Sequence, residues 1–578
     1  MIVNKKQKNS KINPLLVVGA IAGAAAIAAT AKKMKDNKEK KESFIRFNEN
    51  FEEFKEKQVY FIGGGLSSLA GAAYLIRDCN FKGENIHIIE SKNSIEQNTL
   101  GNNENGFINP RDIVLNKENC KNFWELFNDI PSINMPEMSV TEEIFNFDKI
   151  HPTYAKARLI DQFGNKIDVK TMGFKNADRI ALIKLMMIPE DKIEDLTIED
   201  WFRETPNFFN TNFWYMWQTT FAFEKWSSLY EFKRYMERIV FEISHIDTLE
   251  ESINSTFNKY ESIIIPLRKY LLSKDVDFSI NAEVIDIDFN QSEEITATAI
   301  YILDEEGEKV IKLNEGDLCF MSNGSSEDNI TLGDLNNAPE FKVEKPKTLG
   351  IWEKVAKKKI GLGNPGTFFD NADNSSYEKF TITCKGNKLI KLIEQFSGNI
   401  SGSGGIMTFR DSNWLISIEV PTQPYFKNQL MDTTIITGYG LYIDRVGNFI
   451  NKKMKDCTGK EILIELLHHL HLEENIDEVL ETVVNVIPCM MPYGNAHLQP
   501  RKVTDRPKVI PEGSTNFAMI SEFVEVPGEM VFTGEYLVRA AKIAVYNLLG
   551  VKHKEIIPVK SYKKDMKVIM KAIKKIYS

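Results

Sequence analysis

Cysteine is scarce in this sequence and nowhere paired. Cys79, Cys120, Cys319, Cys384, Cys457 and Cys489 are scattered over 578 residues, with no C-x-x-C among them. That spacing excludes a zinc ribbon or thioredoxin-like motif, and reads as reduced thiols in a cytosolic setting rather than a disulfide framework. A basic excess is also missing. Lysine and arginine total 72 against 81 aspartates and glutamates, a formal charge of -9. Nucleic acid is therefore not expected as a partner, because a phosphate-binding surface carries net positive charge. H-E-x-x-H, G-x-x-x-x-G-K-[ST] and G-x-S-x-G are absent, which leaves zincin, P-loop and α/β-hydrolase chemistry without a motif. The tract Leu467-His468-His469-Leu470-His471 puts His468 and His471 on one helical face and reads as a solvated helix end, so no metal site is expected.

Long apolar runs are limited to one segment, Pro14 to Ala31, with lysines on both sides. At helical rise it reaches the lower limit for crossing a bilayer. Gly19 and Gly23 form a G-x-x-x-G, a spacing that an alanine-rich stretch also produces by chance. The segment is either a single membrane anchor or, with Ala29-Thr30-Ala31 as cleavage site, an exported signal. Lys32, Lys33, Lys35, Lys38, Lys40 and Lys41 outweigh Lys5, Lys6, Lys8 and Lys11. The positive-inside rule then favours an anchor that keeps the large domain on the cytoplasmic face of the membrane. At the other end, Met566, Ile569, Met570, Ile573 and Ile576 form an apolar stripe among lysines. Such a helix lies either on an anionic membrane or on the protein's own core.

An apolar content of 43% with 26% charged residues describes a globular chain, and its length implies roughly two to four domains. Val59-Tyr60-Phe61-Ile62 reads as a strand running into Gly63-Gly64-Gly65-Leu66-Ser67-Ser68 and a helix from Leu69 to Arg77. Gly63 permits the tight turn, and Gly65 lets helix amides approach a pyrophosphate. Ser68 stands where a third small residue is needed. A second strand, Ile86-His87-Ile88-Ile89-Glu90, ends in an acid suited to a ribose hydroxyl. The order strand, glycine turn, helix, strand and acid predicts a Rossmann-type dinucleotide domain.

The most particular stretch is Asn212 to Arg238, N-F-W-Y-M-W-Q-T-T-F-A-F-E-K-W-S-S-L-Y-E-F-K-R-Y-M-E-R. With Phe320-Met321-Ser322-Asn323-Gly324-Ser325 and Asn516 to Leu549, it resembles the oleate hydratases, also called myosin-cross-reactive antigens. The resemblance runs from about Lys57 to about Leu549. It implies an FAD-dependent enzyme that adds water across the cis double bond of unsaturated fatty acids. It also implies Tyr235 as proton donor, and flavin contacts at Gly63, Gly65, Ser67, Ser68, Glu90, Val284, Ser325, Ser521 and Thr533. A homodimer is an open expectation.

The sequence departs from the family in three places. Ser521 replaces a glycine where the flavin nears the backbone. The family's G-G-S-L-D-G and R-G-G-R-E turns are Glu96-Gln97-Asn98-Thr99-Leu100-Gly101 and Ile108-Asn109-Pro110-Arg111-Asp112-Ile113 here. Losing both glycine pairs implies a different backbone path. Asp112 stands for the water-activating glutamate in one alignment, and Leu115 falls there in another. Around the fatty-acid carboxylate, Lys259, Glu419 and Tyr425 replace other residues, and Glu419 would repel an anion unless Lys259 pairs with it.

The expected fold class is α/β: a discontinuous Rossmann-type FAD domain with a mixed α+β substrate domain and a helical region. Expected segments are the anchor and linker 1–56, FAD-domain pieces 57–150, 256–345 and 500–550, a helical lid 151–255, a substrate domain 346–499, and a C-terminal helix 551–578. The alternatives to hydration are a silent relative that binds lipid without converting it, and a flavin-dependent double-bond isomerase.

Overall fold

The computed structural model describes residues 56–91, 101–109, 113–563 and 565–577. The apolar segment 14–31 and Asp112 lie outside them. Among the described residues no helix is long and apolar enough to cross a membrane.

The architecture is mixed α/β. A five-stranded parallel sheet runs in the order Phe517–Met519, Leu318–Met321, Val59–Ile62, Ile86–Glu90, Asp277–Ile280. Its strands come from four separate stretches of chain, which makes the dinucleotide domain discontinuous. Leu318–Met321 is buried on both faces, as expected of a parallel strand covered by helices. The helix expected from Leu69 begins at Leu66 and runs to Cys79. Ala70, Gly71, Ala72 and Ala73 let it lie close to the sheet: a Cβ on Gly71 would stand 2.6 Å from the Phe61 ring. Phe61 in turn stacks on Phe320 at 4.7 Å. A second buried helix, Gly534–Leu548, packs beside the first, with Tyr546 edge-on to Tyr74.

A seven-stranded sheet forms a separate layer, ordered Thr331–Leu332, Val483–Met491, Tyr377–Lys385, Thr433–Gly440, Ser417–Glu419, Met407–Phe409, Leu159–Ile160. It is antiparallel except at its last pair. Helices Lys388–Ser397 and Gly459–His469 bury their leucines and isoleucines in its core.

Between residues 176 and 238 the chain is largely helical. Helix Asn212–Phe221 opens on Thr211, whose hydroxyl accepts from the Trp214 amide, and Leu229–Arg238 opens on Ser228, which accepts from Glu231. Their aromatic faces meet in one cluster, with Trp217 edge-on to Phe232 at 5.0 Å.

The C-terminal helix spans Met566–Tyr577 and docks on this helical region. Ile569 and Ala572 are buried, and Ile576 packs against the aromatic cluster. Lys575 Nζ meets Asp247 at 2.6 Å, and Arg179 lies over the Tyr577 ring. Packing on the protein's own core therefore uses the stripe, although Met566 and Met570 stay exposed.

Candidate active site

The glycine turn forms a cradle at the carboxyl ends of the parallel strands, where ligands of open α/β sheets bind. Gly63 has φ +98°, and a Cβ there would press on Ser322. A Cβ on Gly64 would overlap the Glu90 carboxylate at 1.6 Å. Gly65 differs: a Cβ there would meet nothing within 4 Å. Its side therefore faces open space at a helix N-terminus, where a phosphate is favoured. Ser68 Oγ, one turn in, is buried with no hydrogen-bond partner. Glu90 itself is buried and takes Arg268 Nη1 at 3.1 Å.

The returning pieces of chain are tied to this cradle. Ser67 Oγ reaches the Ile520 carbonyl at 3.3 Å. Ser521 Oγ donates to Asn323 Oδ1 at 2.7 Å and accepts from the Phe523 amide at 2.9 Å. Ser325 opens the adjoining turn, its amide donating to Asp328 at 3.2 Å. Val284 is buried on a short antiparallel strand, beyond Ala282, whose amide donates to the Glu90 carbonyl. Thr533 caps helix Gly534–Leu548, and its buried hydroxyl has no partner. Open space beside Gly65 and unpartnered hydroxyls at Ser68 and Thr533 suit a phosphate-bearing cofactor of many acceptor oxygens.

Tyr235 lies in the aromatic wall and is fully buried. Its ring is edge-on to Phe223 at 5.0 Å and to Phe221 at 5.7 Å, with Phe532 at 6.4 Å. At full hydrogen-bond geometry the hydroxyl has no partner, although the Phe532 backbone lies close enough to favour its ionised form. Burial, and then the charge of Glu231, push its pKa well above the usual tyrosine range, so the phenol stays protonated.

Buried ion pairs clamp the Tyr235 helix to the closing segment. Arg234 meets Glu525 at 2.6 Å, and Arg238 meets Glu529 at 2.6 Å. Glu231 binds Arg501 at 2.8 Å and Arg506 at 3.0 Å. Burial alone would raise the Glu231 pKa, but Arg506, Arg501 and Arg234 outweigh it and hold the carboxylate down at about 2. Pairs this enclosed give positional definition more than net stability.

The residues expected around a carboxylate head group are partly assembled. Asn258 donates its amide to the Tyr425 carbonyl at 2.9 Å, which sets neighbouring Lys259 in the vicinity of Tyr425. Lys259 Nζ donates to the Ile253 carbonyl, and Asn109 Nδ2 to Tyr425 Oη at 3.1 Å. Glu419 ends strand Ser417–Glu419. Burial lowers the pKa of nearby Arg158 to about 10, opposed by Tyr439, Asp247 and Glu419. Among the described residues no group of three or more metal-binding side chains is assembled. The tract read as a solvated helix end is so only at His471, since His469 is buried and faces Glu465, an acid one turn back, at 3.4 Å.

A model of the MCRA family matches residues 56–546. The chain belongs to the MCRA family. It is 34% identical over 555 residues to a protein named linoleate hydratase from Lactiplantibacillus plantarum, covering 89% of this chain and 98% of that one. It is 37% identical over 521 residues to one named oleate hydratase from Streptococcus pyogenes serotype M49, covering 86% and 85%.

Sequence reasoning passed over Gly71, which makes the close helix-to-strand contact, and Arg268, the partner of Glu90. A glycine nearly two turns after the G-x-G pattern was the available signal for the first. The second depends on a contact 178 positions away and leaves no local trace.

Proposed function

We propose that this MCRA-family protein is an FAD-dependent hydratase that adds water across a cis double bond of an unsaturated fatty acid, giving a hydroxy fatty acid. The observation that carries the reading is the Tyr235 hydroxyl, buried in an aromatic wall with no protein partner. An unpartnered buried donor costs about 1–3 kcal/mol, and an alkene seated against it receives that proton. The two relatives named as hydratases support the same chemistry.

Hydration is redox-neutral, so the reaction needs an acid for one carbon and a base for the water. Tyr235 is the acid, and the aromatic side chains around it exclude competing water. Asp112 is the carboxylate that the sequence offers to the water. Gly63, Gly65, Ser67, Ser68, Glu90, Val284, Ser325, Ser521 and Thr533 hold FAD, which when bound supplies orientation and electrostatics without net electron transfer. Lys259 and Tyr425 receive the polar head, with Glu419 tuning its charge. Segment 14–31 anchors the enzyme to the cytoplasmic face of the membrane.

The test is incubation of flavin-loaded protein with oleic or linoleic acid in oxygen-18 water, with mass spectrometry of the free acids. A labelled hydroxy acid that disappears in Tyr235→Phe supports the reading. Unlabelled, isomerised acid from the wild type overturns it in favour of isomerisation, and bound but unaltered acid points to a lipid carrier.

A further inference from the structure

As a proton donor, Tyr235 must recover a proton from solvent after every turnover, yet it is sealed off. The side chain is fully buried, and Phe221, Phe223 and Phe532 close it on the side of the aromatic wall. Carbon rings pass no proton. The charged groups felt by the phenol are Glu231, one turn earlier on the same helix, and Arg506. Side chains four residues apart on a helix stand about 5–6 Å apart at Cβ, so Glu231 borders the phenol and gives it a polar side.

Beyond Glu231 the polar groups continue toward the surface. Arg506 Nη1 meets Glu231 at 3.0 Å, and Arg506 Nη2 donates to the His497 carbonyl at 2.8 Å. His497 feels the same two charges as Tyr235, those of Arg506 and Glu231. Tyr235 and Glu231 have no exposed surface, Arg506 has 2%, and His497 is outermost with 8%. Both His497 ring nitrogens lack a partner, as do Glu231 Oε2, Arg506 Nε and, at full hydrogen-bond geometry, the Tyr235 hydroxyl. So dense a group of unsatisfied buried atoms suits ordered water, which takes about two to four such partners. Burial, and then Arg506, lower the His497 pKa to about 4 against Glu231. The ring therefore stays neutral, with one nitrogen to accept a proton and one to release it.

A groove of about 470 Å³ opens beside His497, its lining including Thr197, Asn364, Asp370, Asn371 and Gln499. Gln499 lies two residues beyond His497. Asn364 donates its amide at 2.8 Å to the carbonyl of Asp505, the residue before Arg506. Thr197 pairs with Ser228, the cap of the Tyr235 helix. The groove therefore meets the chain on both sides of the contact between His497 and Arg506, and Asn364, Asp370 and Asn371 open it to solvent.

We propose that His497 is the residue through which solvent protons return to Tyr235, entering from this groove and passing by ordered water beside Arg506 and Glu231, an assignment that rests on the hydratase reading above. In each turnover the double bond's electron pair takes the Tyr235 proton, which breaks the O–H bond, forms the new C–H bond and leaves tyrosinate. A lone pair on water forms the C–O bond at the other carbon, and that water gives up one proton to solvent. His497 accepts a solvent proton on one nitrogen while the other releases its own to the inner water, and tyrosinate takes the proton that emerges. One water is consumed, and no oxidant or reductant is required. The Arg506 charge keeps the imidazole from retaining the proton. His497 touches no reacting atom, so it is a positioning residue that acts through Tyr235.

The test follows labelled hydroxy acid formed from oleic acid in oxygen-18 water by flavin-loaded wild type, His497→Gln and His497→Ala, in the first turnover and in steady state. Glutamine still bonds to water but passes no proton, and alanine leaves room for imidazole added to the buffer. Each variant should form its first equivalent of product at the wild-type rate, because Tyr235 begins protonated, and then slow by about tenfold or more. Imidazole should restore the steady state of His497→Ala and leave His497→Gln slow. Melting temperature and flavin occupancy check the fold, and the glutamine variant answers alone where alanine unfolds the protein. Folded variants whose steady state matches wild type overturn the proposal, as does a first turnover slowed as much as the later ones, which is the mark of a purely structural role. A wild type that yields no labelled product defeats the hydratase reading itself, and the relay with it.

Discussion

Ser521 and Asn323 share a hydrogen bond of 2.7 Å, Oγ to Oδ1, at the seam where two returning pieces of chain meet the glycine turn. The Ser521 hydroxyl is consumed by that bond and by the Phe523 amide. The side chain is thus accommodated by the protein. Replacing Ser521 with valine strands Asn323 Oδ1 and the Phe523 amide and should destabilise the fold by about 1–3 kcal/mol. Ser521→Gly should bind flavin within a few-fold of wild type. Chemical denaturation and flavin titration read the two effects separately.

Tyr235→Phe separates catalysis from stability. The phenol has at most a weak contact with the Phe532 backbone to lose, so the variant should melt close to the wild-type temperature. Its hydration rate should nonetheless fall by about a hundredfold or more. A large drop in melting temperature would show instead that the hydroxyl is a structural group.

Gly64 and Gly65 are adjacent and predict opposite behaviour. Alanine at Gly64 drives a Cβ into the Glu90 carboxylate and should disturb the turn and lower thermal stability. Alanine at Gly65 meets no protein atom, so the apo-protein should melt normally while flavin affinity falls about tenfold or more. Isothermal titration with FAD and a melt of each apo-variant distinguish them.

Acid should loosen the clamp under Tyr235. Glu231 is held at about 2, below its ordinary value of 4.5. A depressed carboxylate contributes stability that is present above about pH 4.5 and is lost as pH falls toward 2. Glu231→Gln should remove that contribution, so the variant's unfolding free energy should fall less steeply over this window. Denaturant titrations at stepped pH measure the slope.

The dinucleotide half of the fold was legible because its signals are local. Val59 to Glu90 carries strand, turn, helix and strand in unbroken order, and the helix differed only in its bounds, Leu66–Cys79 rather than Leu69 to Arg77. The aromatic stretch was readable in part, since the rings of Phe213, Trp217, Phe221, Phe223, Phe232 and Tyr235 pack on one another. What sequence could not display was pairing at a distance. Glu242 looks like any surface glutamate until Asn116, 126 positions earlier, is placed against it. The C-terminal stripe suited a membrane or a protein core equally, and only Asp247 and Arg179 across the contact decide between them.

The clamp also bears on the order in which the molecule can be assembled. Arg234 and Arg238 find their carboxylates at Glu525 and Glu529, and the Arg238 bond spans 291 positions. A nascent chain that has exposed everything up to residue 500 has the Tyr235 helix but none of these counter-charges. Arg234 also reaches Glu190 at 3.2 Å, but Arg238 has only Glu529 as its ion-pair partner among the described residues, and a guanidinium sealed into a dry interior unpaired is costly. The wall around Arg238 is therefore expected to close late, once the segment carrying Glu529 has been made.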